Sequence, residues 1–130
     1  MNIIKHYNKW YWGPSVISIT DDGLGTATCS VISEYEYKEG DAFRKVERCV
    51  ISSISVHESA RRKGYGNVLL TECEKEAEKM GFDKVYLWAE LDSVAYNWYL
   101  RHGYVVSNKM SLIPTDDDTE AVIQLEKSIN

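Results

Sequence analysis

At 130 residues, with 44% hydrophobic and 27% charged side chains, the chain has the size and balance of one soluble globular domain over 1–130, large enough to bury a core without staples. Its 20 acidic against 15 basic residues give a net charge of −5, which disfavours general nucleic-acid binding, and no apolar run reaches the length of a membrane span. Cys29, Cys49 and Cys73 are widely spaced with no CxxC pair and read as free thiols of a reducing cytoplasm, and the opening residues lack the sustained apolar stretch of a secretion signal.

The predicted elements begin with strands. SVISITD (15–21) and TATCSVISEYEYK (26–38) flank the turn signal DGLG, and RKVERCVISSISV (44–56) follows EGDA. Their alternation and β-branched content predict an antiparallel meander. From Gly64 the period changes: Leu69, Cys73, Ala77 and Met80 recur at helical spacing with charges on the other face, and Gly81 stands where a helix C-terminal glycine belongs. DKVYLWAEL (83–91) alternates again, with Val85, Leu87, Ala89 and Leu91 on one face. Asp92 or Ser93 can cap a second helix that carries Ala95, Trp98, Tyr99 and His102 on one side and ends at Gly103. YVVSNKMSLI and EAVIQLEK read as two closing strands around PTDDDT. Strand, helix, strand, helix in the middle implies a crossover with local parallel pairing, so the fold class is α/β or mixed α+β on a mostly antiparallel sheet.

The cationic run Arg61, Arg62, Lys63, followed by Gly64-Tyr65-Gly66, falls at a strand-to-helix junction. Amides at a helix start lack intrahelical acceptors and the helix dipole favours an anion there. Gly64 and Gly66 let the backbone approach a phosphate closely. The spacing is neither that of a Walker A loop nor of a dinucleotide-binding GxGxxG, because position 69 is Leu. The segment VHESARRKGYG (56–66) resembles motif A of the Gcn5-related N-acetyltransferase (GNAT) superfamily, and AYNWYLRHGY (95–104) resembles its motif B, in the family's order with a helix and strand between.

The resemblance covers roughly residues 44–106 and implies acetyl-CoA as acyl donor, with no metal, and an amine as acceptor: a protein lysine, an N-terminus or a small amine. It implies that Arg61, Arg62, Lys63, Gly64, Tyr65 and Gly66 hold the pyrophosphate, that backbone groups around Ile54 and Val56 pair with the pantetheine arm, and that Asp92, where many members have Asn, contacts the cofactor. Tyr99 matches the tyrosine that protonates the departing thiolate. Glu90, at the end of the next strand, is the first choice of base, with Glu47, His57 and water behind it. The alternative is a catalytically silent acyl-CoA-binding or protein-interaction module. Nucleic acid and membrane are not expected partners, and pairing with a second copy stays open. Only about fifteen residues precede the first clear strand, too few for the strand and two helices with which most members begin. The aromatic Trp10, Tyr11 and Trp12 are read as lining an open acceptor side or covering a bare sheet face.

Overall fold

The computed structural model describes residues 3–8, 16–21, 24–38, 40, 42–114 and 119–129. Seven strands form one sheet: β1 (Ile4–Asn8), β2 (Val16–Asp21), β3 (Gly25–Lys38), β4 (Ala42–Val56), β5 (Lys84–Glu90), β6 (Val105–Pro114) and β7 (Thr119–Ser128). Their spatial order is β1-β2-β3-β4-β5-β7-β6. Among the described residues only β4 and β5 run parallel, joined by α1 (Tyr65–Lys79), while α2 (Val94–Arg101) links β5 to β6. The expected mixed sheet and central crossover are present.

The first strand was not expected. Residues 4–8 carry no clean alternation, yet they pair antiparallel with β2 from Ile4/Thr20 to Asn8/Val16. A long-range contact helps to place them: the Lys5 ammonium lies 2.8 Å from Glu72 and 2.7 Å from Glu76 of α1. Only residues 9–15 separate β1 from β2. The aromatic trio Trp10, Tyr11 and Trp12 falls there, outside the described residues.

Both helices pack on one face of the sheet. Leu69, Leu70, Cys73 and Ala77 of α1 and Tyr99 of α2 share a cluster with Ala27, Cys29, Cys49, Ile51, Val85, Leu87, Ala89, Ile123 and Leu125 of the strands. The alternation along β5 is realised directly: Val85, Leu87 and Ala89 are buried, and Trp88 and Glu90 are exposed. The three cysteines are free and fully buried in this cluster. The neighbouring Cys29, together with burial, pushes the Cys73 thiol upward, so it stays protonated.

Both helices stop where their sequences say. Gly81 takes φ +89°, its amide bonds the Glu78 carbonyl, and the Phe82 amide bonds the Ala77 carbonyl, which satisfies two C-terminal carbonyls of α1. Ser93 caps α2 by accepting from the Tyr96 amide at 3.0 Å, and Gly103 at φ +91° ends it.

Candidate functional site

A single bulge and a short parallel pairing create the site. β3 and β4 pair residue for residue until Cys29/Ile51, after which Thr28 faces Ser53 and Ser52 is left over. The extra residue keeps Ile54 and Val56 on the helix side, opposite Ala27 and Gly25. β4 and β5 pair only at Cys49/Val85, Val50/Tyr86 and Ile51/Leu87. Beyond that point the strands part, and no strand faces the β5 side of residues 52–56 among those described. The sequence does not announce this bulge.

Into the gap opens a cleft of about 590 Å³, within the range of small-molecule sites. Its walls are Ile54, Ser55 and Val56 of β4, Arg61, Arg62, Gly64, Tyr65 and Gly66 of the turn, and Val94, Ala95, Trp98 and Tyr99 of α2. The turn follows a 3-10 stretch over Glu58–Ala60. Arg62 takes φ +68° and Gly64 φ +79°, and the first intrahelical bond of α1 is Val68 N–H to Gly64 C=O. The amides of residues 65–67 therefore precede the helical ladder and stand at its positive end, where an anion is favoured.

The residues at the helix start fit a phosphate-bearing ligand. A Cβ added at Gly66 would come to 3.4 Å from the Trp98 ring, so this backbone lies against the cleft's aromatic wall and a methyl there would press on it. At Gly64 nothing lies within 4 Å, and the need for glycine there is conformational. Arg61 bends back, its Nε donating to the Val56 carbonyl at 3.4 Å. Arg61 and Arg62 line the cleft, and Lys63 is exposed beside it.

Tyr99 is buried, lies in the cleft wall and makes an edge contact with Trp98, ring centres 5.2 Å apart. Burial, then the neighbouring Cys73, raises its pKa above the ordinary phenol value, so the hydroxyl keeps its proton at neutral pH.

The other expected residues take different places. Glu90 ends β5 on the face away from the helices and does not line the cleft. Asp92 also stands outside the lining. It occupies a left-handed turn at φ +61°, a conformation that Asp and Asn tolerate better than most residues. His57 is exposed, and its Nδ1 accepts from the Ser59 amide at 3.2 Å, which caps the 3-10 turn. Glu47 lies on the far part of β4, lining a separate cleft of about 410 Å³ with Arg44, Phe82 and Lys84. Sequence reading missed Ser55, Asn67, Val94 and Trp98 as wall residues. Trp98 lies inside the second motif, three residues after Ala95 on the helix face that also carries Tyr99, and that spacing could have flagged it.

A main-chain anion cradle at a helix start, facing a slot between parting parallel strands, can take a ligand that carries both a phosphate and an extended arm. The model of the Acetyltransferase (GNAT) family matches residues 5–104, and the chain belongs to that family. No curated protein matches the sequence.

Solved structures agree on the fold at low identity. The ribosomal-protein-S18-alanine N-acetyltransferase from Escherichia coli is 21% identical, with TM-score 0.64 over 93% of this chain and 72% of that one. Arabidopsis thaliana NAA60 in complex with a bisubstrate analogue is 17% identical, with TM-score 0.67 over 91% and 77%. The NatC complex bound to Gag peptide and CoA is 15% identical, with TM-score 0.62 over 88% and 71%. No cluster of residues suited to a metal occurs among the described residues.

Proposed function

We propose that the protein transfers the acetyl group of acetyl-CoA to a primary amine by direct attack. The observation that carries this reading is Tyr99, buried in the wall of the cleft that opens beside the unpaired end of β4. In this reading the amides of residues 65–67 hold the pyrophosphate and the β4 edge around Ile54 and Val56 holds the pantetheine arm. Glu90 receives a proton from the arriving amine. The nitrogen lone pair then bonds the thioester carbonyl carbon as the C–S bond breaks. Tyr99 gives its proton to the departing sulfur and is restored by a proton that nitrogen releases through solvent, while Glu90 gives its own proton up to solvent.

Relatives that act on the alanine of ribosomal protein S18, or that bind Gag peptide, support a peptide or protein amine among the acceptors. The free, buried thiols support a reducing, cytoplasmic setting. The test is mass spectrometry of a panel of peptides, lysine amides and small amines after incubation with acetyl-CoA. A mass gain of one acetyl group that disappears in Tyr99→Phe supports the reading. CoA binding with no acetylated product supports a silent binding module instead.

A further inference from the structure

The donor cleft accounts for the helix side of the gap, but on the other side the proposed base Glu90 has a neighbour with no role yet. Trp88 is the first β5 residue past the last β4 pairing, Ile51/Leu87, and is 40% exposed. Glu90 follows on the same face, because Val85, Leu87 and Ala89 take the helix side. Their Cα atoms are about 6.6 Å apart at ordinary strand rise. Beyond its backbone pairing with Gln124, Trp88 makes no ring contact or side-chain hydrogen bond among the described residues, and the Glu90 carboxylate makes no ion pair. Across the gap Ser52, the bulged residue, turns its hydroxyl to this face, 3.5 Å from that of Ser30.

An exposed indole beside an unpaired carboxylate is the pairing that holds an alkylammonium. The ring face attracts the cation, and the carboxylate neutralises it and stands ready to take its proton. A hydroxyl or an arylamine, both neutral at pH 7, gains little from either group.

We propose that Trp88, together with Glu90, is the specificity site for the acceptor, selecting an aliphatic amine that arrives as a cation on the sheet face opposite the helices. This rests on the acetyl-transfer reading for its purpose, but the binding can be tested without turnover. Tetramethylammonium carries the charge and has no N–H to acetylate, and tert-butanol is its neutral counterpart in shape.

Tetramethylammonium should shift the Trp88 indole resonance in an NMR titration and compete with the amine in acetylation assays, while tert-butanol should do neither. Trp88→Phe should raise the KM for the amine a fewfold. Trp88→Leu should raise it about five- to thirtyfold, with kcat little changed and acetyl-CoA affinity by calorimetry unaltered. Equal responses to the two probes, or an unchanged KM in a folded Trp88→Leu variant, would overturn the proposal. If no amine is turned over, the NMR titration still decides the ammonium site, and the missing turnover counts only against acetyl transfer.

Discussion

Two glycines in the donor loop should fail for different reasons when given the same methyl group. Gly64 sits at φ +79° with open space around the position of a Cβ, so Gly64→Ala meets no clash and instead suffers the left-handed backbone. That conformation costs an L-residue about 1–2 kcal/mol. If the turn stays in place, the cost appears as lost stability; if it relaxes, the amides of residues 65–67 tilt away from the phosphate. A loss of 1.4 kcal/mol in binding is tenfold in Kd. Gly66 lies in the first turn of α1, where alanine is the better helix former by up to about 1 kcal/mol. Its methyl would press on the Trp98 ring at 3.4 Å, in the wall of the cleft.

Thermal unfolding should therefore show Gly64→Ala destabilised, and Gly66→Ala near wild type or slightly above it. Calorimetry with acetyl-CoA should show weaker binding in both. Arg62→Gly, at φ +68°, is the control: it relieves strain while removing a cation, and should raise stability while weakening binding modestly. If Gly64→Ala keeps full stability and full affinity, the left-handed turn is not what shapes the cradle.

Tyr99→Phe keeps the ring and its contact with Trp98, so acetyl-CoA affinity should hold while turnover falls roughly ten- to thousandfold; unchanged turnover removes the acid role. Glu90→Gln should depress the rate most near neutral pH and recover at high pH, where the acceptor is already neutral; a wild-type pH–rate profile would transfer the base role to water. Acetyl-CoA at a hundredfold excess over Kd should stabilise the fold by about 2.7 kcal/mol in a melting assay, and adenosine alone much less; no shift contradicts the donor site.

Lys5→Met should cost about 1–3 kcal/mol, because it leaves the nearly buried Glu76 without its closest cation. The same variant should flatten the pH dependence of stability at both ends. The bond to Lys5 lowers the Glu72 pKa, so that contribution is present above the ordinary carboxylate pKa and is lost as pH falls through the lower folded value. Burial opposes the Lys5 charge, but Glu72 and Glu76 outweigh it and raise its pKa, so that contribution is present below the ordinary lysine value and lost as pH rises through the higher folded one. Parallel pH–stability curves for the variant and the parent would show that the clamp contributes nothing.

What could be read in advance was local. Gly81, Ser93 and Gly103 are helix-end signals carried by single residues, and each stands at the boundary it marks. The change of period from β3 and β4 to α1 and back to β5 is a property of short windows, so element types came through with boundaries one or two residues off. The five residues of β1 offer no such window. They pair along one side only, and their Lys5 contact lies on a helix more than sixty residues away, which no nearby pattern reports.

The site divides along the same line. The anion cradle is built from consecutive residues, so its charges and glycines were legible together. The gap that makes it a donor cleft is not, because it depends on where β4 stops pairing with β5 and on one extra residue, Ser52, in a serine-rich run with no distinguishing chemistry. The same dependence divides the residues of β5. Glu90 stands out in the sequence as a carboxylate at a strand end, while Trp88 reads as one more alternating aromatic. Only the position of the last pair, Ile51/Leu87, turns Trp88 from a sheet-face residue into the one nearest the opening, and that is why the acceptor side must be tested there first.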